Sequence, residues 1–105
     1  MRKEILEKLK VMSRILKENY HARRVIIYGS YAFGTETDES DIDLLVVAPT
    51  QEKWLDRMAT VRRLIREEKR GIPVSPLVIT PEELSRRANL GDQFIQEILE
   101  KGIDL

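Results

Sequence analysis

The sequence predicts an α/β (α+β) fold in which a small mixed β-sheet of about three strands has helices packed against it. Three short runs rich in β-branched residues predict the strands, and four amphipathic segments with apolar residues at helical spacing predict the helices. A chain of 105 residues suits one domain with one hydrophobic core. No linker, repeat or low-complexity segment interrupts it, so we predict a single domain over residues 1–105.

In the first half of the chain, a helix precedes two strands. The helix covers residues 2–20, and its apolar stripe consists of Ile5, Leu9, Met12 and Leu16. The apolar, β-branched run 25–28 predicts the first strand, and a short helical turn at 31–33, ended by Gly34, follows it. The second strand covers residues 41–47, which are almost continuously apolar after the first position.

A second long helix is expected over roughly residues 51–70, with Thr50 as its N-cap. Its apolar stripe consists of Trp54, Met58, Val61 and Ile65. Trp54 has two interpretations, because its indole could stack on a nucleobase or could pack in the core or against a partner. The helical spacing favours packing.

The last third of the chain predicts one strand and two helices, which completes the order helix, strand, strand, helix, strand, helix, helix. Residues 74–79 form the third strand. Residues 80–83, Thr-Pro-Glu-Glu, form a helix start with a capping threonine, a proline at the first helical position and a glutamate that closes a capping box. That helix runs to about residue 88, and Asp92 caps a last helix that ends at residue 101. We expect the helices to lie on one side of the sheet.

The composition excludes several classes of protein. The absence of cysteine excludes disulfides and cysteine-ligated zinc. The formal net charge is zero, so there is no strong nucleic-acid signal. No apolar run approaches the roughly 20 residues of a membrane span. No signal peptide is evident either, so we expect a cytoplasmic protein without a membrane partner.

The most informative segment runs from Gly29 to Val47. Asp41 and Asp43 are two residues apart at the start of the second strand, so their side chains point to one face, roughly 6.6 Å apart along the chain. Two like charges at one place favour a bound hard cation, and Mg²⁺ prefers such oxygen ligands and usually binds together with phosphates. Gly29 lets the backbone approach a ligand closely, and Ser30 offers a hydroxyl and a backbone N–H at the start of a helical turn.

Each half of this segment also has an ordinary explanation. Gly29-Ser30 alone is typical of a plain turn, and Asp41 and Asp43 alone are typical of solvated charges at the edge of a strand. Their conjunction favours a site, because phosphate donors and cation ligands then lie on neighbouring strands, as metal-assisted nucleotidyl transfer requires.

The segment resembles the signature of the minimal nucleotidyltransferases in the DNA polymerase β-like nucleotidyltransferase superfamily. The matching residues are Gly29, Ser30, Gly34, Ser40, Asp41 and Asp43. The resemblance implies the nucleotidyltransferase fold, nucleotide binding by the two glycines and two serines, and a Mg²⁺ site formed by the two aspartates, which would also be catalytic. It also implies a nucleoside triphosphate as substrate, and we expect ATP.

The third strand departs from the family pattern. Active members commonly carry a third carboxylate near the start of this strand, where it completes a two-metal site. Ser75 occupies that position here, and residues 74–79 contain no Asp or Glu. Three interpretations stay open: the site works with two carboxylates and an incomplete two-ion site, a third acid arrives from elsewhere, or the chain binds a nucleotide without turning it over.

Two functions follow from the resemblance. The first is an enzyme that transfers AMP from ATP to a hydroxyl of a partner protein, because related small proteins work beside a helical HEPN-type partner and are implicated as antitoxins that add adenylyl groups to the toxin. The second is a binding module, an antitoxin or regulatory subunit that acts by direct contact and has a vestigial nucleotide site. The missing third acid favours the module. A purely structural scaffold gives no reason for the two aspartates, and the oligomeric state stays open, a homo-oligomer included.

Overall fold

The computed structural model describes residues 1–105 as five helices and four strands. In chain order they are α1 (Lys3–Asn19), β1 (Arg24–Tyr28), α2 (Ser30–Phe33), β2 (Ile42–Val47), α3 (Trp54–Leu64), β3 (Val74–Ile79), α4 (Pro81–Asn89), α5 (Gln93–Lys101) and β4 (Ile103–Asp104). The predicted α/β (α+β) class and the predicted order of helices and strands are confirmed. None of the helices combines the length and the apolar character that a membrane span needs.

The four strands form one mixed sheet in the order β3-β2-β1-β4. Strand β1 runs antiparallel to β2 and β4, whereas β2 and β3 are parallel. The sheet has one strand more than the sequence predicts, because β4 is only two residues long and leaves no periodic pattern. Its ladder with β1 is accompanied by an ion pair in which Arg24 Nη2 lies 3.0 Å from Asp104 Oδ2.

Helices cover both faces of the sheet, which corrects the expectation that they lie on one side. The cluster on the first face joins α1 and α3 to the sheet and includes Leu9, Leu16, Leu44, Val46 and Val61. The cluster on the second face joins α5 to the sheet and consists of Ile26, Leu45, Val47, Ile79, Ile95 and Ile98. Successive side chains of β2 alternate between the faces, and residues 44–47 are all buried, so both faces need a cover.

Helix α3 is shorter than predicted, and Thr50 is not its N-cap. The helix begins at Trp54, directly after Lys53, whose side chain makes no capping hydrogen bond, and it ends at Leu64. The Thr50 hydroxyl instead accepts a hydrogen bond from the Glu52 N–H at 3.1 Å. This local bond stabilises a turn ahead of the helix and competes with the capping role that the sequence suggests.

The expectation that Trp54 packs in the core is wrong. Its side chain is 39% exposed, and the guanidinium groups of Arg57 and Arg87 lie 5.6 and 6.0 Å from the centre of its ring. Arg57 is itself buried and pairs with Glu83, its Nη1 lying 2.7 Å from Glu83 Oε1. The indole therefore contacts two cations near the surface. Packing of Trp54 against a partner stays a prediction.

The starts of α4 and α5 confirm the sequence prediction. Thr80 Oγ1 accepts a hydrogen bond from the Glu83 N–H at 3.1 Å, and the Glu83 carboxylate accepts one from the Thr80 N–H at 2.8 Å. These two bonds complete the capping box. Asp92 Oδ1 accepts a hydrogen bond from the Ile95 N–H at 3.2 Å, so Asp92 caps α5. Helices α4 and α5 therefore begin where the sequence indicates.

Candidate functional site

The turn after β1 brings Gly29 directly against the carboxylate of Asp43. Gly29 has φ +74° and ψ −152°, which places it in a backbone region that only glycine enters readily. A Cβ built on Gly29 would collide with Asp43 Oδ2. Glycine is thus required for its conformation and because the Asp43 carboxylate occupies the space where a side chain would stand. A close approach of this turn to a bound ligand stays a prediction.

Asp41 and Asp43 influence one another, as their spacing predicts. Asp43 lies in β2 and is half-buried, while Asp41 lies just before the strand and is exposed. Burial raises the pKa of Asp43, and the negative charge of Asp41 raises that pKa further. The four ion pairs of the chain involve neither aspartate, so no lysine or arginine relieves this repulsion.

The two aspartates fit part of a ligand set for a divalent cation. They offer carboxylate oxygens, which suit a hard ion such as Mg²⁺. A cation between them would relieve the repulsion, which adds to burial in raising the pKa of Asp43. No group of three or more His, Cys, Asp or Glu residues is close enough together to hold a metal ion. The protein side of the site therefore ends at two carboxylates, and the remaining ligands of Mg²⁺ would be water or phosphate oxygens.

Ser75 lies beside Asp43 on the neighbouring strand. The parallel register of β2 and β3 pairs Asp43 with Ser75 and Leu44 with Pro76, so the side chains of Asp43 and Ser75 project from the same face of the sheet. Pro76 leaves this register intact because β3 is an edge strand, where a missing N–H is tolerated. The side chain of Ser75 thus lies next to Asp43, and it carries a neutral hydroxyl group.

A cavity of about 260 Å³ opens beside Gly29 and Asp43. Its lining consists of Tyr28, Gly29, Phe33, Asp43, Phe94, Glu97, Ile98 and Gly102. The rings of Tyr28 and Phe94 meet edge to face, with centroids 5.6 Å apart. Burial raises the pKa of the Tyr28 phenol, and the charge of Asp43 adds to this effect. The cavity therefore joins an aromatic wall to the carboxylate of the motif.

Sequence reasoning did not single out the α5 side of this cavity. Phe94 lies in α5 and is 48% exposed. Sequence reasoning gave Glu97 no role. A usable signal exists in the helical spacing, because Phe94, Glu97 and Ile98 are three and four residues apart and so share one face. That face became informative only once α5 was known to lie against the second face of the sheet.

Ser40 and Gly34 lie apart from the carboxylate pair. Ser40 Oγ accepts a hydrogen bond from the Thr37 N–H at 2.9 Å and lines a different cavity, of about 340 Å³, between the start of α1, the α2–β2 loop and residues 71–73. Gly34 ends α2, as predicted, and it does so in the left-handed conformation, with φ +74° and ψ 19°. The structure thus brings together Gly29, Asp41 and Asp43, with Ser30 next in the chain. Nucleotide contacts by Ser30, Gly34 and Ser40 stay predictions.

Comparison with known proteins reveals consistent similarities. A family model described as the nucleotidyltransferase domain matches residues 9–105. A protein of Methanocaldococcus jannaschii, provisionally named a protein adenylyltransferase, is 31% identical over 96 residues, which cover 90% of each chain. A second protein of that organism with the same provisional name is 39% identical over 67 residues, or 61% of this chain, and the match spans only 46% of that relative. A solved structure of a provisionally named nucleotidyltransferase from Sulfolobus solfataricus is 30% identical, with 82% of each chain covered and a TM-score of 0.48.

Proposed function

Because this chain belongs to the nucleotidyltransferase domain family, we propose that it transfers AMP from ATP to a hydroxyl group of a partner protein. The single observation that carries the proposal is the arrangement at the end of β1 and the start of β2. There the Asp43 carboxylate lies against the Gly29 turn and interacts with the charge of Asp41. The provisional name of the relatives, protein adenylyltransferase, supports AMP as the group and a protein as the acceptor.

The residues of the motif have separate tasks in this proposal. Asp41 and Asp43 would hold Mg²⁺, which when bound offsets the negative charge of the triphosphate. Gly29 and Ser30 would bind the β- and γ-phosphates, because the turn at the start of α2 carries backbone N–H groups. Gly34 would end that turn, and Ser40 would order the loop that leads to the aspartates, through its bond to the Thr37 N–H.

The transfer itself is a substitution at the α-phosphorus. The acceptor hydroxyl oxygen forms a bond to this phosphorus while the bond to the bridging oxygen breaks. Pyrophosphate leaves with that oxygen, and the hydroxyl proton passes to water. The chain contributes orientation and charge: it fixes the triphosphate against the turn and the two carboxylates.

We propose a helical HEPN-type protein as the acceptor, with the chain acting as the antitoxin of a toxin–antitoxin pair in the cytoplasm. Support comes from the resemblance of the Gly29–Asp43 segment to minimal nucleotidyltransferases, whose small members work beside such proteins.

A binding module is the second candidate, and Ser75 is the observation that favours it. The position paired with Asp43 holds a hydroxyl, and no third acid joins the two aspartates in a metal-binding group. Serine is a poor metal ligand and cannot act as a base at neutral pH. In this alternative, the chain binds a nucleotide weakly or slowly and neutralises its partner by contact alone.

Incubation with ATP labelled at the α-phosphate, Mg²⁺ and the partner protein separates the two candidates. The proposal expects label on the partner, and loss of that label in the Asp43→Asn variant. Asp38→Asn is a matched control, because Asp38 lies in the loop that leads to β2 but lines the cavity of about 340 Å³. Partner that is neutralised without acquiring label would refute transfer and support the binding module.

A further inference from the structure

We propose that the 260 Å³ cavity beside Gly29 and Asp43 binds the nucleobase, and that Glu97 accepts a hydrogen bond from the exocyclic amino group of adenine. This inference rests on the proposed function, because it names the part of the protein that recognises the base of ATP. It assigns a role to α5, which the sequence motif does not include.

The position of the cavity suits one end of a nucleotide. Its lining includes both Gly29 and Asp43, so a base inside it would lie next to the residues proposed to hold the triphosphate. The cavity of about 340 Å³ beside the start of α1 contains neither of these residues. Ligand cavities for small molecules commonly measure roughly 300–1,000 Å³, so a space of about 260 Å³ fits a base better than a whole nucleotide.

The walls of the cavity suit a flat aromatic ligand. Phe33 and Phe94 are 47% and 48% exposed although both are large apolar side chains, and each lines the cavity. Tyr28 supports Phe94 edge to face, which leaves the ring held in place without covering it. A nucleobase stacked in this space would remove apolar surface from water at two otherwise exposed rings.

Glu97 is the polar group that could select the base. It is exposed and lines the cavity, and it has no hydrogen-bond or ion-pair partner in the chain, so its carboxylate is free to accept. Its backbone is held firmly, because Asp92 caps α5 and the neighbouring Ile98 is buried in the second-face cluster. An ionised carboxylate only accepts hydrogen bonds, so it favours a base edge that carries an amino group.

The test compares ATP with purine riboside triphosphate, which lacks only the 6-amino group. Dissociation constants are measured with Mg²⁺ and without the partner protein, so that no transfer follows binding. The wild-type chain should bind ATP about 10-fold more tightly, the effect of one charge-assisted hydrogen bond. Glu97→Met removes the acceptor at similar length, and the ratio of the two constants should then fall to about one. Using the ratio cancels the general gain in anion affinity when a negative charge is lost.

Glu100→Met is the matched control, because Glu100 lies on the same helix, is exposed and lines neither this cavity nor the other. It should keep the wild-type ratio. Phe94→Ala should weaken the binding of both nucleotides by about 10-fold without changing the ratio of their dissociation constants.

Several outcomes would overturn the inference: a wild-type ratio near one, a ratio that survives Glu97→Met, or no measurable binding of ATP. Failure of the proposed function looks different. Base discrimination that depends on Glu97, together with no label on any partner, would leave this inference standing and refute transfer.

Discussion

Replacing Gly29 by alanine perturbs the contact between the turn after β1 and the aspartate of β2. With φ +74° and ψ −152° at this position, alanine would carry backbone strain of roughly 1–3 kcal/mol. Its Cβ would also collide with Asp43 Oδ2, and the shift that follows should add roughly 1–3 kcal/mol, the range seen for overpacking. We therefore expect the free energy of unfolding to fall by about 2–6 kcal/mol.

Gly34→Ala is the matched control for this experiment. Gly34 also has a positive φ, but no atom lies within 4 Å of the position of its Cβ. Alanine there should cost roughly 1 kcal/mol, which is the backbone contribution alone. The comparison separates the collision with Asp43 and the stricter backbone region of Gly29 from the cost of a left-handed residue alone.

Urea unfolding followed by circular dichroism measures both free energies, and titration with ATP and Mg²⁺ measures binding. Gly29→Ala should weaken ATP binding by about 10-fold or more, equal to about 1.4 kcal/mol, because the shifted carboxylate no longer faces Asp41 in the same geometry. Gly34→Ala should weaken ATP binding less than Gly29→Ala does, because a Cβ at Gly34 would not displace the Asp43 carboxylate. If the two variants lose equal stability and bind ATP equally, the close packing of Gly29 on Asp43 has no part in the site.

Three further predictions concern charge. Asp43→Asn should not destabilise the metal-free chain at neutral pH, because the folded state raises the pKa of Asp43 from 3.8. The ionised group lowers the stability of the folded chain above the raised pKa, and this effect vanishes as the pH falls towards 3.8. Any gain in stability of Asp43→Asn over the wild type should therefore shrink on acidification. A large drop in the melting temperature of the variant at neutral pH would contradict this prediction. Ser75→Asp should tighten Mg²⁺ binding and lower the melting temperature of the metal-free chain, because a third carboxylate would stand beside Asp43; titration calorimetry that finds the same Mg²⁺ affinity would count against it. Glu83→Gln should lower the free energy of unfolding by about 2 kcal/mol at neutral pH, because buried Arg57 loses its ionic partner. The pKa of Glu83 is lowered from 4.5, chiefly by its hydrogen bond with Arg57. The higher stability of the wild type is therefore present above pH 4.5 and is lost as the pH falls through the lowered pKa. A stability difference that persists in strong acid would disprove this role of the ion pair.

The sequence alone determined the features that depend on neighbouring residues. The capping box at Thr80 and the cap at Asp92 are bonds between groups three residues apart, so the residue types reveal them directly. The short spacing of Asp41 and Asp43 likewise predicted that their charges interact, and the charge of Asp41 adds to the effect of burial in raising the pKa of Asp43. The family signature at Gly29 and Ser30 belongs to the same class of local pattern, and it correctly indicated the nucleotidyltransferase domain.

Tertiary structure decided what depends on distant contacts. Strand β4 forms because Ile103–Asp104 pairs with β1, about 77 residues earlier in the chain, and such a distant pairing leaves no local signal in the sequence. At Thr50 the turn with Glu52 forms instead of a helix cap, and the Glu52 carboxylate accepts a hydrogen bond from the distant Tyr20 hydroxyl. The docking of α5 on the second face of the sheet follows from burial of Ile95 and Ile98, and it alone brings Phe94 and Glu97 to the cavity beside Asp43. Hydrophobic burial is non-directional and acts between residues far apart in sequence. The sequence therefore shows which side chains tend to be buried but not which surface buries them.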